Sequence, residues 1–372
     1  MRITEVRAVV CDVPLSRPII LGEIRYDSRD YLLVELRTDT GLRGIGYGLA
    51  RYAPLVPLVE RNIAPLILGE DPVMSALLWD RMYYRNLIIG QRGLFMRALS
   101  AVDIALWDLR GKAAGVPVWK LLGGARREMP ALVAGGYVAK DKSLRDLAAE
   151  LEGYRRSGYR HVKIAAGDLR EDTARLEAAR AALGEDIGLS YDVHAAWRSM
   201  VDVVPTLRGW ERFRLEWIED PFPSEEYELN AALRAATGFP LAIGEDYVGR
   251  WQFRDLLRRG DADYLRVDAT VAGGLTETIR ICGLASATAV PISPHLFPDV
   301  HVHLAAAVDQ VVAVEVTEPA QEIDVLDRLL VGSLRPRDGM ITAPDEPGLA
   351  VTIDWDAVER FGRADARAIV RA

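Results

Sequence analysis

Cysteine is scarce: the 372 residues hold two, Cys11 and Cys282. They lie far apart, each in an apolar setting, so no disulfide framework is expected. Two buried free thiols in a reducing cytoplasm are. Cysteine clusters and the His-x-x-x-His helix spacing are both missing, which argues against zinc. Positive charge is not in excess. The formal net charge is −8, whereas a nucleic-acid backbone is held by clustered Lys and Arg, so nucleic acid is excluded as the expected partner. No run of about 18 apolar residues occurs, so no membrane span is expected. The opening stretch MRITEVRAVVCDVPL alternates like a strand and has no long apolar block, so no secretion signal is read there.

What is present is an ordinary globular composition, 50% hydrophobic and 27% charged, with ample material for a core. The length suggests two domains, or one large barrel with a smaller unit. Residues 1–125 read as an α+β unit. RITEVRAVVCDVPL and RDYLLVELRTDTG alternate with period two, and then the period changes. LWDRMYYRN and GLFMRALSAVDIALWDLRGKAAG carry apolar residues at helical spacing, and Gly115 followed by Pro117 stops the second.

From 126 to 340 short apolar runs alternate with longer amphipathic ones. The candidate strands are ALVAGG, HVKIA, GLSYD, LEWIED, LAIGE, YLRVD, VPISP and VVAVEV. Strands alternating with helices mean a parallel sheet, and eight of them fit a closed (β/α) barrel. An open doubly wound sheet is the other solution, but no Gly-rich phosphate loop follows an early strand. Residues 341–372 are punctuated by Pro and Gly and are expected to pack back on the first domain.

The ionisable residues at the strand ends carry the functional information. Asp192, Glu219, Glu245, Asp268, His295 and Glu315 each lie at or just beyond an apolar run, 27, 26, 23, 27 and 20 residues apart. In a barrel the C-terminal strand ends meet at one mouth, so residues distant in sequence become neighbours there. One acid after a strand would ordinarily be read as a helix cap, but glutamate is a poor cap. Asp192, Glu219 and Glu245 together would repel unless a cation intervenes. Oxygen ligands from three side chains leave room for water and substrate oxygens, which suits Mg²⁺. Asp246 is an alternative ligand, although period two turns it away. His295 is a candidate general base, with Asp268 fixing its tautomer. Lys163, ending HVKIA, is a candidate for holding a substrate oxygen or taking up negative charge. His161 shares that inward face but lies deeper. His301 and His303 fall in an apolar helix-like stretch, and His303 reads as a packed core residue.

The run RALSAVDIALWDLRGKAAGVPVWKLLGG (97–124) resembles the N-terminal signature of the mandelate racemase/muconate lactonizing enzyme group of the enolase superfamily. WIEDPFP (217–223), LAIGED (241–246), GGLTE (273–277) and SPHLFP (293–298) resemble its barrel motifs. The resemblance covers essentially the whole chain. It implies an α+β capping domain plus a modified (β/α)7β TIM-type barrel, one Mg²⁺ per subunit on Asp192, Glu219 and Glu245, and a homo-oligomer. It implies a first step in which a proton is removed α to a carboxylate held by the metal, giving an enediolate. His295 and Asp268 correspond to the group's His-Asp dyad, and Glu315 to the acid that hydrogen-bonds a substrate carboxylate oxygen.

Two places depart from the pattern. Many relatives end the second barrel strand Lys-x-Lys, the second lysine being a base on the opposite face; here the strand reads Lys163-Ile164-Ala165, so a two-base racemase is not expected. Near the first hairpin, where relatives often have Gly-x-Gly-Glu, this chain has GIGYG with Tyr47. Segments 16–30 and 47–54 are expected as loops over the barrel mouth, with Arg17, Arg25, Arg29, Arg51 and Tyr52 as candidates for gripping substrate hydroxyls or a distal charge.

His194 follows Asp192 by two residues, so in an extended chain both face one side. An Asp-x-His of this kind resembles the acid-sugar dehydratases of the superfamily, galactonate and mannonate dehydratases among them, in which the histidine is implied to be the general acid. The expected reaction is therefore Mg²⁺-dependent dehydration of a sugar acid, an aldonate or aldarate, to a 2-keto-3-deoxy acid. The alternatives are a racemase, epimerase or cycloisomerase working through the same enolate, and a binding protein without turnover.

Overall fold

The structure is a computed structural model and describes residues 1–21, 24–139 and 142–372. Its first sheet is antiparallel. Strands β1 (Ile3–Leu21), β2 (Ile24–Thr38) and β3 (Arg43–Leu49) lie side by side, and the C-terminal strand Gly362–Arg371 adds to the outer edge of β1. The segment expected as a loop over 16–30 is largely strand, because β1 and β2 pair out to Leu21 and Ile24. Its tip, residues 22 and 23, lies outside the described residues.

The helix Leu94–Ala114 packs on this sheet and ends at Gly115, whose left-handed backbone (φ 69°) closes the last turn. The GIGYG stretch explains the close fit. A Cβ on Gly46 would lie 1.9 Å from the Ala101 carbonyl oxygen, so only glycine lets the helix backbone rest directly on β3. Tyr47 is fully buried and packs on Phe297 with ring centroids 5.9 Å apart. The stretch therefore joins the first sheet both to its own helix and to the segment that follows His295.

The second sheet is the barrel. Parallel strands β4 (Glu128–Gly135), β5 (His161–Ala165), β6 (Gly188–Asp192), β7 (Leu215–Glu219), β8 (Leu241–Ile243), β9 (Tyr264–Leu265) and β10 (Val314–Thr317) run in the order β10-β4-β5-β6-β7-β8-β9. The ring closes through Ile292, which bridges in parallel to Leu265 on one side and Val311 on the other. The run expected as the strand VPISP is thus reduced to one bridging residue, Ile292. Pro291 and Pro294 have no N–H to give a ladder, so regular pairing does not extend through the run. YLRVD is likewise shorter than expected, with two residues in strand geometry. The fold is an α+β domain on a modified (β/α)7β barrel.

Alternation sorts the barrel interior into two layers. Leu132, Trp217, Ala242 and Ala313 form a dry plug, with Trp217 against Tyr264 at 4.8 Å between centroids. Two residues further along β7, on the same face, stands Glu219; on β5, His161 is followed by Lys163. The charged layer therefore rests on an apolar floor that keeps water from its underside.

The helix Leu94–Ala114 also ties the two domains. Ser100 Oγ accepts from the amides of Gly273 and Gly274 at 3.0 and 3.1 Å, and Asp103 accepts from the Thr276 amide and hydroxyl at 2.8 and 2.7 Å. Trp107 Nε1 donates to Thr276 Oγ1 at 2.8 Å. The GGLTE motif is thus bound to the 97–124 signature by hydrogen bonds that leave few buried groups unpaired. Both cysteines are free and buried. No helix among the described residues is long and apolar enough to cross a membrane.

At the N-terminal ends of β5 and β7 His161 Nδ1 meets Glu216 Oε2 at 2.9 Å, with both side chains about one-third exposed. That hydrogen bond to Glu216 raises the His161 pKa above 6.5. A raised folded value means stabilisation that is fully present below the ordinary histidine pKa and lost as pH rises through the folded one. The melting-temperature gap between wild type and His161→Gln should therefore be wider near pH 5.5 than near pH 8.5. An equal gap at both would show that the pair contributes nothing through protonation.

Candidate active site

The six strand-end residues converge at one end of the barrel. One oxygen each from Asp192, Glu219 and Glu245 lies within 4.8 Å of the others. Asp192 and Glu219 are the last residues of β6 and β7, while Glu245 lies two residues past β8, after Gly244. Lys163 enters the cluster from β5: its Nζ is 2.7 Å from Glu219 Oε1, 2.9 Å from Asp192 Oδ2 and 3.2 Å from Glu315 Oε1. Burial works against an ammonium here, but the carboxylates prevail and the Lys163 pKa is raised.

Electrostatics shows what the cluster wants. Burial, together with Asp192, Asp220 and Glu219, drives the Glu245 pKa well above the ordinary carboxylate value. Asp220 is raised for the same reasons, with Glu219 and Asp192 as the repelling neighbours. A divalent cation would remove that repulsion. The donor set fits one. Asp192 Oδ2, Glu245 Oε2 and Glu315 Oε1 are buried and lack a hydrogen-bond partner, although Lys163 stands near two of them by distance. Oxygen-only donors with open positions suit a hard ion such as Mg²⁺. Asp246 is excluded from the set: its side chain is 60% exposed and is taken by Arg97 at 2.6 Å.

Sequence reasoning missed two members of the site. Arg266 is wholly buried, with Nε 3.0 Å from Glu219 Oε1, Nη2 on Glu315, and Nη1 donating to the Ser293 carbonyl at 2.6 Å. It precedes Asp268 by two, the same spacing that drew attention to His194, so the signal was present. The other is His301. Its Nε2 accepts from the Ala269 amide at 3.0 Å and its Nδ1 meets the Leu296 carbonyl at 2.6 Å. It therefore fixes the backbone immediately after both members of the dyad. His303, also fully buried, meets Trp119 N and the Leu349 carbonyl at 3.2 Å each, as a packed core residue would.

The dyad is formed. His295 Nδ1 lies 2.9 Å from Asp268 Oδ2, and Nε2 points back to Glu245 Oε2 at 3.5 Å. Asp268 also caps the next helical turn, its Oδ1 accepting from Thr270 N at 2.7 Å. Burial lowers the His295 pKa well below its ordinary value, against the pull of Asp268, and so keeps the ring neutral. On the other side, His194 Nε2 stands 3.2 Å from Asp192 Oδ2. It reaches that place by a different route from the one expected. The strand ends at Asp192, and His194 and Ala195 turn through φ 50° and 55°. Ring burial lowers the His194 pKa, with Asp192 opposing.

Of the arginines and tyrosine named from the sequence, Arg17 is exposed and Arg25 pairs with Asp27 at 2.6 Å out in solvent. Arg29 is buried and donates to the Ile323 carbonyl at 2.8 Å. Tyr52 bonds Ser28. Arg51 lines a cavity of about 460 Å³ beside the cluster, together with Tyr26, Arg97, His194, Arg198 and Glu245.

Left-handed backbone marks the same places. Consecutive non-glycine residues take positive φ at three places among the described residues: Arg51-Tyr52, His194-Ala195 and Leu296-Phe297. Such residues cost of order 1–3 kcal/mol each and persist only where the surroundings hold them. Asp30 holds the first pair, its Oδ2 taking Tyr52 N at 2.6 Å; the Asp220 carbonyl holds the second through Ala195 N at 2.7 Å.

Residues 3–123 match the family described as "Mandelate racemase / muconate lactonizing enzyme, N-terminal domain", and residues 146–357 match "Enolase C-terminal domain-like". The chain belongs to this group of the enolase superfamily. It is 31% identical over 341 residues to the arabinonate dehydratase of Saccharolobus solfataricus, covering 89% of this chain and 90% of that protein. It is 33% identical over 380 residues to the D-galactarolactone cycloisomerase of Agrobacterium fabrum, covering 98% and 100%. Among solved structures, L-talarate dehydratase from Polaromonas sp. JS666, complexed with Mg and L-glucarate, superposes with a TM-score of 0.88 at 31% identity, covering 100% of this chain and 99% of that one.

The site makes a direct prediction for metal binding. Mg²⁺ should raise the melting temperature of the wild type, since a ligand that binds only the folded state stabilises it. Changes even to groups that merely orient a ligand shift metal affinity roughly 10–100-fold, so Glu245→Gln should weaken Mg²⁺ binding at least about tenfold. Titration calorimetry showing wild-type affinity in that variant would remove Glu245 from the ligand set.

Proposed function

We propose that the chain is a Mg²⁺-dependent hydro-lyase that dehydrates a sugar acid, with one ion per subunit on Asp192, Glu219 and Glu245. The observation that carries the reading is the pair of imidazoles at one carboxylate cluster. His295 is backed by Asp268 and His194 faces Asp192, while β5 ends in Ala165, which can carry no proton. One base and one acid are what elimination of water requires. The dehydratase names among the relatives, and the glucarate bound to one of them, support it.

The residues divide the work as follows. The ion, when bound, supplies Lewis-acid polarisation of the substrate carboxylate, which eases loss of the neighbouring proton. Lys163 and Arg266 hold positive charge where negative charge gathers on that carboxylate, and Glu315, fixed by Arg266, orients it. Neutral His295 accepts the α proton at Nε2, and Asp268 stabilises the imidazolium at Nδ1. The electrons of the broken C–H bond move to the enediolate and return to expel the β-hydroxyl, which His194 protonates so that it leaves as water. The resulting enol takes up a proton at C3 and releases its C2 hydroxyl proton, becoming the 2-keto-3-deoxy acid. His194 must be protonated when substrate is present. The substrate's own negative charge favours that form, in the same sense as Asp192 does.

A second reading, isomerisation through the same enolate, is favoured by the cycloisomerase relative. Product analysis separates the two, because an isomerase loses no water. Proton NMR in D₂O with Mg²⁺ and a panel of sugar acids should show a 2-keto-3-deoxy product from wild type. A positioned acid or base contributes roughly 10²–10⁴ in rate. His295→Asn should lose about that much, and His194→Asn should keep α-deuterium exchange while losing water elimination. Deuterium entering an epimer or cyclised product with no water lost by wild type would replace the hydro-lyase by an isomerase. Undiminished turnover in His295→Asn would discard the dyad as the base.

A further inference from the structure

The cavity's outer wall carries a cation that the chemistry above does not use. Arg51 lines the same space as His194 and Glu245, yet its guanidinium makes no ion pair within 4.0 Å among the described residues. Its neighbours are otherwise engaged. Arg97 is bound to Asp246 at 2.6 Å, and Arg198 turns back to donate to the carbonyls of Ala195 and Trp197. The acids whose field Arg51 feels are Asp246, which is paired with Arg97, and Glu245, one of the three candidate metal ligands.

The backbone at Arg51 is built, not incidental. β3 ends at Leu49, and two left-handed non-glycine residues follow, at φ 55° and 57°. Asp30, itself 3% exposed, holds that turn by accepting from Tyr52 N, while its carbonyl accepts from Ala50 N at 2.9 Å. The same strained construction occurs at His194-Ala195 and directly after His295. All three strained pairs border one site, and strain of this kind gathers where side chains meet ligands. Arg29 adds to the wall from behind: its guanidinium lies 5.3 Å from the ring of Tyr26, another lining residue, and its buried Nη1 has no hydrogen-bond partner.

We propose that Arg51 binds a second carboxylate of the substrate, at the end remote from the reacting carbon, so that the chain selects aldarates over the matching aldonates. This rests on the sugar-acid dehydratase reading and names its substrate class. A guanidinium offers two parallel N–H donors that match a carboxylate, and a hydroxyl can use only one of them.

The experiment compares galactarate with galactonate and glucarate with gluconate, with Mg²⁺ present, in wild type, Arg51→Gln and Arg51→Lys. kcat/KM is measured by release of 2-keto-3-deoxy acid. Dissociation constants are measured in a His295→Asn background, where binding is read without turnover. A hydrogen bond to a charged group corresponds to about 10–100-fold in affinity. Wild type should favour the aldarate by about that factor in both measurements. Arg51→Gln should erase most of the preference, mainly through KM, and Arg51→Lys should restore part of it. Equal use of aldonate and aldarate by wild type, or an aldarate-to-aldonate ratio unchanged in Arg51→Gln, overturns the proposal and leaves the dehydratase reading standing. Aldarate-selective binding that depends on Arg51, with no keto acid released by wild type, supports the proposal and sinks the dehydratase reading instead.

Discussion

The constraint on which the rest depends is the burial of like charge. Asp192, Glu219, Glu245 and Glu315 are all nearly inaccessible and stand at one end of one barrel. Lys163 and Arg266 answer part of that charge, each bridging Glu219 to Glu315. They answer Glu245 only in part: burial and the neighbouring Asp192, Asp220 and Glu219 raise its pKa, with Lys163 opposing. The site is thus two subsites. In one, Lys163 and Arg266 offset the charge of Glu219 and Glu315 through ion pairs. A second region around Asp192 and Glu245 is completed only by something positive. Substituting apolar residues would stabilise such a barrel end as well as ions do, or better. The ionic solution therefore speaks for chemistry and not for folding.

Function also requires that the mouth be roofed, and the roof is fixed by backbone contact. Gly46 lets the helix Leu94–Ala114 lie on β3, and the same helix receives the Gly273 and Gly274 amides through Ser100. Gly48 continues the pattern, since a Cβ there would lie 2.8 Å from Thr270 Cβ, two residues past Asp268. Tyr31 and Arg29 of β2 reach Asp324 and Ile323 on the segment after β10. The first domain therefore grips the barrel beside Asp268 and beyond Glu315. Position and chemistry are coupled, because a shift of the roof would move Arg51 relative to the dyad.

Much of this was legible in the sequence, for a simple reason. Strand period and strand-helix spacing are local, and in a barrel they translate directly into a shared mouth. Acids at 27, 26 and 23 residue steps could be placed together without any knowledge of contacts. What could not be read was anything decided by backbone departing from regular strand. His194 was expected to face with Asp192 because both were taken as extended; they do meet, but through a left-handed turn. VPISP reads as a strand from its apolar character, and its prolines leave one bridging residue, Ile292. Segment 16–30 is expected as a loop over the barrel mouth, whereas most of it extends β1 and β2. Arg266 lies inside the run YLRVD, and its i+2 relation to Asp268 marks it as inward-facing.

The strained turns connect these points. A strand delivers a side chain only along its own direction, with partners fixed by the ladder. Reaching across the mouth needs a chain that leaves that direction abruptly and stays there. The pair His194-Ala195 beyond β6, the pair Leu296-Phe297 after His295 and the pair Arg51-Tyr52 beyond β3 each do so with non-glycine side chains in the left-handed region. Glycine would relieve the strain at every one of them, but at position 194 or 51 it would delete the group that the turn exists to present. Each turn is held from outside itself, by the Asp220 carbonyl, by His301 on the Leu296 carbonyl, and by Asp30. Of these holders Asp220 lines the cavity, whereas Asp30 and His301 are not among its lining residues. The precision of the site therefore rests on residues such as Asp30 and His301, at which no strand-end pattern points.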